Sequence, residues 1–316
     1  MLHSPRIPPC DERGRIMRVS VIIPTRNRAH QLGTAIESVL GLQRGSDDIE
    51  IIVIDDGSTD DTPQVAQSYP VVYLRGQGQG VSTARNLGIR AATADLLAFL
   101  DDDDIFTPDN LTPQIAYLDE HPACAAVFGR MILGDINLNP VSGPYPEQPL
   151  EPGQMFDTIL AYIPTFDATV MRTSVARALG GFDPQLRGAE DWDFFLRIAK
   201  RHPMGYVHHA AAIARTNAPP AQNPEGVLWR RFRDCMTVWH RHTAPLGLAR
   251  RIRLARTGLR HRGWYIPYFM GIATRYAQQG QTGDALRAWG YALAASPLHA
   301  LPATLRALPA LARRSQ

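Results

Sequence analysis

Short apolar runs alternate with amphipathic segments over the first two thirds of the chain. Residues 18–24 form a β-branched run stopped by Pro24, which reads as a buried parallel strand. Residues 30–40 follow with Leu32, Ala35, Ile36, Val39 and Leu40 at helical spacing. The alternation continues: strands are predicted over 49–54, 71–74 and 96–100, helices over 59–69 and 81–92. Such repetition predicts a parallel sheet with right-handed crossovers and its chemistry at the carboxyl ends of the strands. Pro24, Asp56 and the acidic run 101–104 all fall there.

Further on, helices are predicted over 109–120, 174–179 and 189–201, and strands over 123–133, 165–171 and, singly or as a pair, 206–215. Residues 134–153, rich in Pro, Asn and Gly, read as a flexible loop able to lie over a site. Beyond Pro219-Pro220 the pattern changes to four or five Arg-rich amphipathic helices, of which residues 275–297 have the small-residue spacing of a helical hairpin. The expected organisation is a mobile leader over 1–17, an α/β domain over 18–220 and a basic helical region over 221–316.

Charge sharpens that division. From Glu225 onward 15 arginines face three acidic residues, whereas the preceding part carries 18 basic and 27 acidic groups. A front and a back of opposite sign point to different partners. The leader lacks the apolar core of a secretory signal, no run is long enough to span a bilayer, and Cys10, Cys124 and Cys235 have no metal-ligand spacing. A reducing, cytoplasmic setting is the expectation.

The chemistry concentrates at Asp101, Asp102, Asp103 and Asp104, after the apolar run 96–100. Four like charges at a strand tip repel one another, and a divalent cation shared with phosphate oxygens relieves that repulsion; an acidic solvated loop is the other reading. Gly76, Gly78 and Gly80 do not directly follow a strand in the way a dinucleotide fingerprint requires.

Five segments carry a resemblance in order: VSVIIPTRNR (19–28), IEIIVIDDGSTDDT (49–62), GVSTARNLGI (80–89), LLAFLDDDD (96–104) and GGFDPQLRGAEDWDFFLR (180–197). Together they resemble an inverting, bacterial-type family-2 glycosyltransferase of GT-A fold. The resemblance implies a Rossmann-like mixed sheet, here with an α-helical C-terminal extension, and a nucleotide-diphosphate sugar donor. By the same resemblance Asp103 is the direct ligand of Mn²⁺ or Mg²⁺, and Asp101 faces the ribose or the metal. Pro24, Thr25, Arg26, Asp56, Arg85, Asp101 and Asp102 line the donor site, and Gly180-Gly181-Phe182 shapes the acceptor pocket. Asp191 matches the catalytic aspartate, with Glu190 as second choice or acceptor contact. Both open a helix, where the positive end of the helix dipole favours the ionised carboxylate that a base needs. Asn217 stands where many members have a histidine completing the metal site, while His208 and His209 read as strand residues with local hydrogen bonds.

In the tail, arginine clusters are interleaved with Trp229, Trp239, Trp264 and Tyr265. That combination suits peripheral contact with the inner face of an anionic membrane, and a solvated face or homo-oligomer platform remains the alternative. A glycan or lipid-linked glycan is the expected acceptor, and nucleic acid is not an expected partner given the acidic front. A sugar-phosphate nucleotidyltransferase and a non-catalytic sugar-nucleotide scaffold stay open as other readings.

Overall fold

Why the sheet forms where it does is visible in the first strand: β1 (Val19–Thr25) is buried at every position and pairs in parallel with β2 (Ile49–Asp55) on one side and β4 (Leu96–Phe99) on the other. The computed structural model describes residues 18–42, 49–162, 164–216 and 224–302. The leader, Asn217 and Pro219-Pro220 lie outside them. The described residues divide into two compact units, one running to Gln185 and resuming from Glu190 to Thr216, the other made of Leu186–Ala189 and the residues from Pro224 onward.

In the first unit β3 (Val72–Arg75) extends the parallel half beside β2. The crossovers are α1 (Ala29–Leu42), α2 (Thr62–Gln67) and α3 (Val81–Ala91); α1 buries Leu32, Ala35, Ile36 and Val39 against the sheet. Beyond β4 come the two-residue β5 (Ile105–Phe106), α4 (Thr112–Glu120), β6 (Ala126–Gly134), β7 (Pro140–Tyr145), α5 (Phe156–Ala161), β8 (Thr169–Arg172), α6 (Thr173–Ala178), α7 (Glu190–Ala199) and β9 (Met204–Arg215).

The sheet order is β3-β2-β1-β4-β8-β6-β9-β5, with β7 on β6. The parallel expectation therefore holds throughout β1 to β4 and, outside them, only between β6 and β9. Strand β8 runs antiparallel to both β4 and β6, β9 is parallel to β6, and β5 is antiparallel to β9, so the sheet is mixed.

One expectation is corrected. Residues 134–153 are not all loop, because β7 forms a hairpin with β6. Its turn is built by Asp135, whose carboxylate accepts from the backbone N–H of Asn137 and Asn139 at 2.8 and 2.9 Å, while Leu138 takes φ of 66°. An aspartate that bonds its own turn in this way is a hairpin closure, and it outweighs the loop-like composition around it. Residues 206–215 form one strand, not two.

The second unit consists of α8 (Pro224–Thr243), α9 (Leu248–Trp264), α10 (Ile266–Gln278) and α11 (Thr282–Ala295). Trp229 stacks on Tyr291 at 4.8 Å between ring centroids, and Phe269 is fully buried beside them. The α10–α11 turn uses Gly280 at φ of 75°, giving the hairpin anticipated around residues 275–297. No helix among the described residues is long and apolar enough to cross a membrane.

Candidate active site

The carboxyl ends of β1 and β2 are knitted into one rim. Asp55, fully buried, accepts from Ser58 N–H at 2.7 Å and from the Tyr73 hydroxyl at 2.7 Å. Burial pushes its carboxyl up, yet the bonds from Ser58 and Tyr73 together with Arg75 prevail and hold it below the usual carboxylate range. Asp56 takes both of its oxygens to the neighbouring loop, accepting from Gln79 N–H at 3.0 Å and Gly80 N–H at 2.7 Å. Arg26, half-exposed, stands 4.0 Å from Asp56. Strand β1 runs one residue past Pro24, leaving Thr25 buried at its tip.

The four aspartates form a turn between β4 and β5, with Asp104 N–H bonded to the Asp101 carbonyl at 3.1 Å, so their side chains face different ways. Asp101 accepts from Arg85 at 2.6 Å. Asp103 lies 3.8 Å from Arg28. Asp104 accepts from the Arg215 N–H at 2.7 Å, and the Arg215 guanidinium donates to the Asp103 carbonyl at 2.9 Å. Burial pushes the Asp102 carboxyl up to about 7, with the Thr25 hydroxyl pulling the other way and the charge of Asp103 adding to the rise. Burial likewise pushes Asp104 up to about 7.

A fifth carboxylate joins them. Asp167 sits in a short 3₁₀ turn, Phe166–Ala168, just ahead of β8, and accepts from the Asp101 N–H at 2.8 Å. Burial, and then the charges of Asp101 and Asp104, hold its carboxyl well above the usual range. Ligand oxygens of Asp101, Asp104 and Asp167 all lie within 4.8 Å of one another. The sequence singled out neither Asp167 nor, beyond its place in the acidic run, Asp104. Nothing in the local spacing at Thr165-Phe166-Asp167 marks that aspartate, because its neighbours come from the β4–β8 pairing.

Arg85 links this cluster to the acceptor-side motif. Its guanidinium, 5% exposed, donates to Asp101 at 2.6 Å and to Glu190 at 3.1 Å. Burial disfavours its charge, but Asp101 and Glu190 outweigh that and raise its affinity for the proton. The rings of Phe166 and Phe182 lie 4.9 and 5.6 Å from its centre. Glu190 opens α7; burial and the adjacent Asp191 push its carboxyl up while Arg85 opposes them. Asp191, partly exposed, accepts from Trp192 N–H at 2.7 Å.

The helix start is held in register by the glycine pair before it. Arg197 bonds Asp193 at 2.7 Å and donates to the carbonyls of Leu179 and Gly181 at 2.9 and 2.6 Å. Asn86 of α3 exchanges two hydrogen bonds with the Phe182 backbone, at 2.9 and 2.7 Å. A Cβ on Gly181 would meet the Asn86 Oδ1 at 2.1 Å, so the close approach of α3 needs glycine there. His208 accepts from Arg130 at 3.1 Å and pairs with the Tyr206 hydroxyl at 2.9 Å, the local bonding expected of a strand histidine.

Residues 20–180, half of the chain, match the family model described as Glycosyl transferase family 2. The chain belongs to that family. A glycosyltransferase of Rickettsia felis, uncharacterised, is 33% identical over 197 residues, covering 60% of this chain and 31% of that protein. The chain thus spans about a third of the length of that relative. Among solved structures, the mannosyltransferase PcManGT of Pyrobaculum calidifontis, in complex with GDP-Man and Mn²⁺, is similar with a TM-score of 0.59 and 20% identity, over 96% of this chain and 81% of that one. Residues 1–349 of S. aureus TarS, in complex with UDP-GlcNAc, give a TM-score of 0.54 and 16% identity, over 85% of this chain and 89% of that one. At these identities the likeness establishes the GT-A fold, a mixed sheet with a helical C-terminal region.

Proposed function

We propose that this family-2 glycosyltransferase moves a sugar from a nucleotide-diphosphate sugar to a hydroxyl of a glycan or lipid-linked glycan, inverting the anomeric centre and requiring Mn²⁺ or Mg²⁺. The observation that carries the reading is the gathering of Asp101, Asp104 and Asp167 within 4.8 Å beside the Arg85–Glu190 pair. Hard carboxylate oxygens crowded together, with Asp104 and Asp167 buried and Asp101 part-exposed, form a donor set that fits a hard divalent cation. Asp101 and Asp103 would hold it, as the motif has them, with Asp104 and Asp167 as the adjoining carboxylates. When bound, the cation offsets the charge of the departing diphosphate.

The remaining steps belong to the chain itself. Pro24, Thr25, Arg26, Asp56 and Asp102 shape the donor socket, with Arg85 fixing Asp101 against it. Asp191 takes the proton of the acceptor hydroxyl as the acceptor oxygen bonds to the anomeric carbon and the bond to the diphosphate oxygen breaks on the opposite face. Glu190, held by Arg85, contributes a fixed charge beside Asp191 and is the lesser candidate for the base. The sugar nucleotides bound in the two similar solved structures, UDP-GlcNAc and GDP-Man, support the donor class.

The test is nucleoside diphosphate release from a panel of sugar nucleotides, with and without Mn²⁺, and anomeric configuration of the product by NMR. Asp191→Asn is expected to lose about 10²- to 10⁴-fold in transfer while keeping donor affinity. Asp103→Ala and Asp167→Asn separate the two carboxylate sets: the larger loss of cation affinity identifies the ligand. Pyrophosphate from sugar phosphate and a nucleoside triphosphate would instead establish a nucleotidyltransferase, and donor binding without any turnover a scaffold.

A further inference from the structure

Helix α9 has a surface that sugar transfer does not use. Its 17 residues include six arginines, Arg250, Arg251, Arg253, Arg256, Arg260 and Arg262, and no acidic residue. At about 100° per residue, Leu248, Ile252, Ala255 and Leu259 fall on one narrow face. That face is turned outward: Leu248, Ile252 and Leu259 are 71%, 65% and 45% exposed, and Ala255 is exposed as well. The helix meets its own bundle on a different side, where Leu254 is buried and a Cβ on Gly258 would come within 2.8 Å of the Trp239 indole of α8. Arg251 and Arg262 border the apolar stripe on one edge, Arg256 and Arg260 on the other.

We infer that α9 is a membrane-docking helix, lying in the interface of an anionic bilayer with the Leu248–Ile252–Leu259 stripe facing the acyl region and the bordering arginines on the phosphates. An apolar stripe with cationic borders matches an interfacial helix, in which both the buried apolar area and the attraction to acidic headgroups contribute. With no helix able to cross a membrane among the described residues, attachment is in the plane. A second copy of the chain is a poorer occupant, because a two-fold contact through this face sets arginines against arginines. Single-stranded nucleic acid is poorer too, since it stacks its bases on aromatic side chains and this stripe is aliphatic. The inference goes beyond the transfer reading and does not depend on it.

Flotation of the full chain with phosphatidylcholine vesicles, and with vesicles of equal parts phosphatidylcholine and phosphatidylglycerol, tests it. Binding is expected to the anionic vesicles, weakening with added salt, and little to the neutral ones. Arg251→Gln with Arg256→Gln should lower the partition coefficient by about 30-fold. Ile252→Ser with Leu259→Ser should lower it by at least about tenfold, with circular dichroism and donor turnover in solution unchanged. Leu286→Ser, which removes a 60% exposed leucine of α11, should leave it unaltered. Failure to bind anionic vesicles, full binding by the Ile252/Leu259 variant, or loss on Leu286→Ser overturns the assignment. So does dimerisation in light scattering, or RNA capture, that the Ile252/Leu259 substitutions abolish while vesicle binding survives. Because vesicle binding needs no donor, a failed transfer assay leaves this test intact.

Discussion

Removing the Arg85 guanidinium tests the pairing on which the site is built. In Arg85→Met the methionine fills much of the space between Phe166 and Phe182, but Glu190, only 8% exposed, loses its cationic partner. Breaking one side of a buried ion pair costs about 3–5 kcal/mol. The Asp101 side chain is 40% exposed and rehydrates, which places the expectation near the lower end, at about 3 kcal/mol. For a unit of this size that corresponds to a fall of about 6–12 °C in Tm. The pH dependence gives a second reading. Burial and Asp191 already raise the Glu190 carboxyl above its unfolded value of 4.5, and loss of Arg85 raises it further. A group whose folded pKa is raised stabilises fully below the unfolded pKa and loses that contribution as pH rises through the folded one. The deficit of the variant should therefore be largest at pH 7 and shrink as pH falls towards 4.5. Calorimetric scans in EDTA at both ends of that range measure it, and adding Glu190→Gln should return part of the loss. A deficit below about 2 °C at pH 7, or one that grows on acidification, would refute the reasoning.

Gly88→Ala should destabilise by about 1–3 kcal/mol in chemical denaturation, since its Cβ would stand 2.5 Å from the Ile22 Cγ2 where α3 packs on β1. Trp192→Phe keeps a ring in a fully buried place but abandons the 2.8 Å bond to the Ile159 carbonyl, for an expected loss of about 1–3 kcal/mol. Asp55 is held below the usual carboxylate range, so its contribution is present above its unfolded value of 3.8 and lost as pH falls through the folded value. Asp55→Asn should accordingly flatten the acid limb of the stability curve measured from pH 5 downward, and an unchanged limb would show that Asp55 is not responsible for it.

The parallel half of the fold was legible because its information is local. Apolar runs such as 19–23 and 51–54 are buried on both faces and read as continuous strands, and α1 shows its inner face in the spacing of four residues. The motif residues that the resemblance marks are local too: Asp56, Asp101 and Glu190 stand at the ends of elements the pattern predicts, and Arg85 lies within the helix predicted over 81–92. The hairpin at Asp135 escaped, since its signal is one carboxylate bonded to a turn inside a stretch of loop-like composition.

What remained for the tertiary structure was which distant residues meet. An all-parallel sheet would place the start of β8 at the far edge from the end of β4. Because β8 pairs antiparallel to β4, its beginning lies beside that end, and Asp167 reaches the Asp101 backbone at 2.8 Å. Strand direction within a mixed sheet depends on long-range pairing, which no local periodicity encodes. The order of elements and the identity of the acidic run belong to the sequence alone. The separation of the four aspartates into different environments, and the bridge from Asp101 through Arg85 to Glu190, arise only when the chain closes.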